Sequence, residues 1–253
     1  IGLNILNGGQ FLLLFSFLFQ IISTYFIFKI KTKSVGESSL DEDIFSSIFK
    51  GIKYIYTNSL IFLIILTVAF HCAFVMSYES IMPIFANKGL NDNTGEFLGY
   101  LIMMFGAGSV VGNLMLSNAN NNSIKSKYFV ISALGSGIFP MMLSYVGFFN
   151  GDLVITISLF IIFLIGACQS SFMSLTTTMI QKVVPDGIRG RIMSLYLLHA
   201  GGIMAFGNLI LGNMADTVGY AWLFRLTGIA FLIYILFVLS TQRRFKADII
   251  AII

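Results

Sequence analysis

Charged side chains are scarce in this sequence. Its 253 residues hold 15 Lys or Arg and 11 Asp or Glu, 10% of the chain, where a soluble globular domain carries roughly 25%. A soluble protein of this length cannot cover its surface with so few charges. A mean hydropathy of +0.90 equally excludes a disordered chain. Proline is nearly absent, with three residues, and cysteine and histidine have two each. Cys72 and Cys168 lie far apart inside apolar runs. They make neither a disulfide framework nor a CxxC metal pair and read as small buried apolar side chains. No GxxxxGK[ST], HExxH or GxSxG occurs, so no phosphate-cradling loop, zinc-protease helix or nucleophile elbow is expected. The expectation is a protein that is not an enzyme, with no catalytic residue, metal or cofactor. The chain opens on Ile1, not Met, inside an apolar run with no basic segment before it. The expectation there is a segment removed upstream or a piece of a longer protein.

What is plentiful is apolar length: 57% of the residues are hydrophobic and 26 are Phe. A spanning helix needs about 20 mostly apolar residues. Seven segments qualify, at about 5–28, 59–86, 96–117, 127–149, 152–181, 191–215 and 220–241. A transmembrane barrel would instead show alternating strands of about 10 residues, so an all-α integral membrane fold is expected. The 152–181 run is long for one span and turns polar towards its end, which predicts projection beyond the bilayer or tilt.

The breaks between spans carry the orientation, because cytoplasmic loops are enriched in Lys and Arg. With alternate loops assigned to opposite sides, one side takes thirteen cations: Lys29, Lys31, Lys33, Lys50, Lys53, Lys125, Lys127, Lys182, Arg189, Arg191, Arg243, Arg244 and Lys246. The other takes Lys88 and Arg225 alone. The expected topology is multi-pass, with the basic side and the C-terminus in the cytoplasm. The net charge of +4 is then a topology signal, and no nucleic-acid partner is expected.

The longest break, 29–58, contains its own helix signal. Ser39 and Glu42 have capping-box spacing, and Asp41, Glu42 and Asp43 suit a helix N-terminus. Ile44, Ile48, Ile52 and Ile55 recur at helical spacing, with Ser46, Ser47, Lys50, Lys53 and Thr57 on the other face. The pattern predicts an amphipathic helix at about 40–57. It either lies on the cytoplasmic membrane surface or packs on the ends of the bundle.

Polar residues inside spans are expensive and usually face an interior or a cavity. In the second span Thr67, His71, Phe74 and Tyr78 share a face, with Glu79 beside it. In the fifth, Ser170, Ser174, Thr177 and Gln181 share one, with Gln169 and Thr176 adjoining. In the sixth, Ser194, Gly201, Ala205, Asn208 and Gly212 form a small and polar stripe. In the third, Gly99, Met103, Gly106 and Asn113 line up, and Gly108 and Gly112 form a GxxxG suited to close helix packing. Glu79 is the one acidic residue in a span interior. It either snorkels to the outer interface or serves as a protonatable group in a pathway. Between the fifth and sixth spans runs Val183-Val184-Pro185-Asp186-Gly187-Ile188-Arg189-Gly190-Arg191, read as a tight basic loop.

At this loop the sequence resembles the major facilitator superfamily. Pro185 to Ser194 is similar to the family's PxxxRGRxxS loop, Gly212 to Gly219 to its GxxADxxG turn, and Glu42 to Leu60 to the entry of its seventh helix. Together they resemble the subgroup of the enterobactin exporter and related transmembrane secretion effectors. One departure is the stretch Ser117–Lys127, which carries Asn120, Asn121 and Asn122 where the family often has an Asp-Arg pair. A charge relay is not expected there.

The resemblance implies that the seven spans correspond to helices 6–12 of a twelve-helix fold. Residues 1–28 would be the last helix of an N-terminal bundle, 29–58 the central cytoplasmic loop, 59–242 the C-terminal six-helix bundle and 243–253 a cytoplasmic tail. It implies a secondary active transporter of the plasma (bacterial inner) membrane, exporting a small amphiphile by alternating access. A proton or other ion gradient would drive it, and the partners would be the bilayer, the substrate and the N-terminal bundle. The expected cavity residues are His71, Tyr78, Gln169, Thr177 and Asn208. Glu79 is the expected proton-coupling group, and Asp186, Arg189 and Arg191 the cytoplasmic gate. A lysophospholipid flippase on the same fold and a seven-helix receptor or sensor remain open. A retinal protein does not, because 220–241 contains no Lys for a Schiff base.

Overall fold

The computed structural model describes residues 8–30, 44–119, 121–149 and 151–241, with all side chains there except those of residues 8–12, 44 and 152. The capping box Ser39–Glu42, Lys31, Lys33, Asn120, Arg243, Arg244 and Lys246 lie outside the described residues. The chain divides into two compact units, Ile1–Ser38 and Ser39–Ile253. The first holds helix α1, Gly8–Phe28, largely apolar, with Ser16, Gln20, Ser23 and Thr24 recurring along one face.

The second unit holds seven helices among its described residues. Helix α2 is Ile44–Thr57. Six further helices are long and apolar enough to cross a membrane. They are α3 (Ser59–Gly89), α4 (Glu96–Ser117), α5 (Asn122–Phe148, its last turn 3₁₀), α6 (Asp152–Val183), α7 (Asp186–Val218) and α8 (Tyr220–Thr241). The protein is therefore an all-α membrane protein. Helices α6 and α7, of 32 and 33 residues, reach about 50 Å at 1.5 Å per residue, well beyond a hydrocarbon core of about 30 Å.

The breaks have local causes. The Asn58 side chain accepts from Ile61 N at 3.2 Å and starts α3, and Asn121 accepts from Ser123 N at 3.0 Å and starts α5. Gly219, at φ +87°, takes the left-handed conformation that separates α7 from α8. The basic loop of the sequence reading is shorter than expected. Pro185 holds an extended backbone, α7 begins at Asp186, and Arg189 and Arg191 sit in its first two turns. Asp186 in the first turn favours the helix over a loop.

Helices α4 and α6 pack along each other, α6 also along α5, α5 along α8, and α3 against α7. Alternation puts Lys125, Lys127 and Lys182 at one end of the unit and Lys88 and Arg225 at the other, the lysine-poor end. Two apolar clusters stack between the ends. One centres on Ile64, Val68, Phe172, Met179, Tyr196 and Phe231. The other centres on Tyr78, Phe85, Leu101, Ile162, Leu211 and Phe224. They meet within α3, between Val75 and Tyr78.

Helix α2 is amphipathic, with three sectors. Gly51 and Ile55 are buried against α7, where a Cβ on Gly51 would come within 2.7 Å of Leu195 Cδ1. Phe45, Ile48, Phe49, Ile52 and Tyr56 form an exposed apolar sector, and Ser46, Lys50, Lys53 and Thr57 a polar one. Packing on the bundle and an outward apolar stripe coexist, because they use different sectors.

Without a hydrophobic drive between helices in lipid, close backbone approach supplies the packing energy. The α4–α6 crossing shows it. A Cβ on Gly108 would fall on the Phe163 carbonyl, on Gly112 against the Ala167 backbone, and on Gly166 against the Phe105 carbonyl. These neighbours are rigid backbone. A Gly108→Val variant is expected to lose about 1–3 kcal/mol or more in detergent unfolding. Gly106→Ala, which meets open space, should melt like the parent, and equal melting of both variants would refute the crossing.

The turn before α4 is organised by Asp92. Its carboxylate accepts from Thr94 N (3.1 Å), Thr94 Oγ1 (3.0 Å), Gly95 N (2.8 Å) and Leu98 N (3.0 Å). Burial pushes its pKa up, but the hydrogen bonds outweigh burial and hold the carboxyl below the ordinary carboxylate range. A folded-state pKa below the unfolded one stabilises above about pH 4 and fades as pH falls through the folded value. Asp92→Ala should lower Tm by a few degrees at neutral pH, with the gap to the parent narrowing below about pH 4. A gap independent of pH would contradict this role.

Candidate functional site

Helix α3 is regular from Ser59 to Phe70 and then changes pitch repeatedly. His71–Val75 is π-helical, Met76–Ser80 is 3₁₀, and Phe85–Gly89 is π-helical again. The sequence supplies a cause near Glu79. Pro83 has no N–H to offer the carbonyl one turn back, and its ring crowds that carbonyl. Within the irregular stretch two hydroxyls bond nearby carbonyls: Ser77 Oγ donates to Cys72 O at 2.8 Å and Ser80 Oγ to Ser77 O at 2.8 Å. Ser77 Oγ also reaches Met204 O of α7 at 3.3 Å, beside Gly207, whose missing Cβ makes room for it. Such a departure inside a span is tolerated only where other groups satisfy the backbone, and π-bulges frequently occur at functional sites.

Glu79 sits in this irregular stretch. Its side chain is exposed at the edge of a pocket of about 390 Å³ lined by Tyr78, Glu79, Met82 and Pro83 of α3 and Leu98, Ile102 and Phe105 of α4. Glu79 is the one charged residue in that lining. Among the described residues no hydrogen bond or ion pair holds its carboxylate. Tyr78 is 1% exposed, its ring 6.4 Å from Phe105 and 6.5 Å from Phe224. The arrangement is one available carboxylate in an apolar hollow, fit to carry a proton or to face a cationic group.

The other expected cavity residues lie elsewhere. His71 is fully buried, with the Phe172 ring stacked at 4.4 Å and the Phe231 ring edge-on at 5.2 Å. Neither of its ring nitrogens has a hydrogen-bond partner. Gln169, one turn before Phe172, is buried with both amide atoms unpaired. Thr177 donates to Met173 O at 2.8 Å and lies 3.3 Å from the hydroxyl of buried Tyr196. Asn208 of α7 is half-buried, with its Oδ1 unpaired. The structure thus brings Tyr78 and Glu79 together in one pocket. His71 and Gln169 are within the packed interior, and Thr177 meets α7. Buried polar groups without partners are few in folded proteins, and each calls for a reason.

At the lysine-rich end Arg189 pairs with Asp186 and donates from Nη2 to Val184 O at 3.2 Å. Arg189 is tied to its own helix start. Asp216, from the GxxADxxG stretch, accepts from Lys88 Nζ at 3.1 Å and joins the far ends of α7 and α3. A second hollow of about 470 Å³ lies between α2, α3 and α7, lined by Ile52, Ile55, Tyr56, Phe62, Ile65, Leu198 and His199 among others.

Sequence reasoning did not anticipate a polar clamp between α4 and α6. Asn113 Nδ2 donates to Ser170 Oγ and to Ser109 O (3.1 Å), while its Oδ1 accepts from Ser174 Oγ at 2.7 Å. Ser109 Oγ in turn reaches Gly166 O at 3.3 Å. The available signal was a pair of serines four residues apart in one span and an amide in another. A double-mutant cycle of Asn113→Leu with Ser174→Ala should show a coupling of about 0.6–1.7 kcal/mol in detergent unfolding. Simple additivity would contradict the clamp.

No curated protein matches the chain, and no solved structure does. A family model described as transmembrane secretion effector matches residues 7–251, spanning all eight described helices. Membership carries a transport role rather than a catalytic one. With its six spans and a match over nearly its whole length, the chain belongs to the transmembrane secretion effector family, membrane transporters of the major facilitator type.

Proposed function

We propose that this protein works as a proton-driven exporter of a small amphiphilic molecule. In this reading α3–α8 form a six-helix bundle that binds substrate near the bilayer midplane and works by alternating access. The protein resides in the plasma membrane with its lysine-rich end and C-terminus in the cytoplasm, following the distribution of Lys and Arg.

The observation that carries this reading is Glu79: an unpaired carboxylate in an apolar hollow, on a helix whose backbone is irregular at that point. A proton on Glu79 cancels the one charge in the lining, so protonation changes what the hollow holds best. Tyr78 gives the pocket its aromatic wall. His71, Gln169, Thr177 and Asn208 are the polar groups of α3, α6 and α7 that a change in helix packing would bring to substrate. Asp186, Arg189 and Arg191 close the lysine-rich end, with the Asp186–Arg189 pair as the element remade between states.

The test uses cells producing the intact protein and an amphiphilic dye that they expel. Glu79→Gln should slow expulsion at least about ten-fold and remove its dependence on the pH gradient. Arg189→Ala should slow it several-fold with the gradient dependence retained. Expulsion by Glu79→Gln at the parent rate under the same gradient removes the coupling role. Dye retention combined with lysophospholipid uptake points to a flippase instead.

A further inference from the structure

Arg225 lies in the second turn of α8, at the lysine-poor end. Its guanidinium is 4.4 Å from the ring centre of Tyr145 and 5.1 Å from that of Trp222. Nε donates to Ser144 Oγ at 3.0 Å, and that hydroxyl donates onward to Met141 O at 2.6 Å. Ser144 is therefore oriented as an acceptor, and it holds the guanidinium between the ends of α5 and α8.

The two cations at this end are treated differently. Lys88 has Asp216 as its counter-charge. Arg225 has no carboxylate within ion-pair distance among the described residues, and its hydrogen bonding is accounted for by Ser144 alone. A guanidinium has five N–H donors in a planar fork. One is used, which leaves the four on the terminal nitrogens. Two aromatic rings displace water from around the cation, and they supply no acceptor. An anion with two oxygens on one atom completes such a fork bidentately, and phosphate has that geometry.

Location decides the source of the phosphate. Tyr and Trp are enriched at the headgroup level of a bilayer. Trp222 is 59% exposed and Tyr145 43%, so both rings face outward. From Trp222 an exposed apolar line continues along α8 through Leu226, Ile229 and Ile233. From Tyr145 another continues along α5 through Met142 and Ile138. Both run from the guanidinium towards the bilayer centre, as acyl chains below a headgroup do.

We propose that Arg225, held by Ser144 and flanked by Tyr145 and Trp222, binds the phosphate of a phospholipid headgroup in the leaflet at the lysine-poor end. The lipid ties the ends of α5 and α8 together through one bidentate contact and two aromatic walls. The site shares no residue with the lining of the α3–α4 hollow and does not depend on its role in transport.

The test titrates dioleoylphosphatidylglycerol onto the purified intact protein in mild detergent and follows bound lipid by native mass spectrometry. Arg225→Gln should weaken the tightest lipid-binding event about ten-fold. Arg225→Lys, which keeps the charge but not the fork, should fall between that variant and the parent. Lys88→Gln removes an outward cation already paired with Asp216 and should bind like the parent. In a parallel arm, inorganic phosphate without lipid should raise the Tm of parent and Arg225→Gln equally. Unchanged lipid affinity in Arg225→Gln overturns the site. An equal loss in Lys88→Gln reduces it to net charge and also overturns it. Stabilisation by inorganic phosphate that depends on Arg225 assigns the site to a free anion and overturns the lipid.

Discussion

Backbone groups in a bilayer have no water to turn to, and α3 is where this protein meets that constraint least simply. The other spans keep α pitch through most of their length, with one ladder bond missing at Pro140 of α5. From His71 to Gly89, α3 alternates π, 3₁₀ and α pitch, and Ser77 and Ser80 bond nearby carbonyls with their hydroxyls. The same Ser77 contacts the α7 backbone where Gly207 lets it approach. Changing α3 therefore changes α3–α7 packing. The two apolar clusters of the unit also meet at this stretch, so it is a seam in the packing as well as in the backbone.

The rest of the second unit is built to hold α4 still beside that seam. Gly108, Gly112 and Gly166 bring α4 and α6 into backbone contact, and Asn113 bonds across the same interface. Asp92 fixes the turn into α4. These contacts set the position of Leu98, Ile102 and Phe105, which form the α4 wall of the hollow beside Glu79. One wall is braced by glycine packing and hydrogen bonds, while the other belongs to the irregular helix. Charge is kept to the ends, except at Glu79.

Much of the fold was legible in the sequence, because helix length in a bilayer is set by hydrocarbon thickness. The α3–α8 spans appear as long apolar runs, and Gly108 and Gly112 announce close packing by their spacing. The start of α7 was misplaced, because Pro185, Gly187 and Gly190 look like a loop. Proline, however, ends one helix and starts the next equally well, and the glycines remain helical at an open surface. The candidate site was legible in part. Glu79 and Tyr78 stand out as polar groups in a span. The π and 3₁₀ segments do not, because pitch depends on which hydroxyl finds which carbonyl. Nor does the sequence tell that His71 lies between Phe172 and Phe231, since helical phase gives a face but not the neighbour opposite.

The central claim is that the irregular stretch of α3, with the hollow it shares with α4, is the substrate-contacting part of the transporter. Hydrogen–deuterium exchange on the intact protein, with and without a dye it expels, tests this directly. The account predicts that the dye slows exchange in residues 76–89 and 98–105 while leaving α5 and α8 unchanged. Protection confined to the hollow between α2, α3 and α7, at residues 52–66 and 195–199, would contradict it.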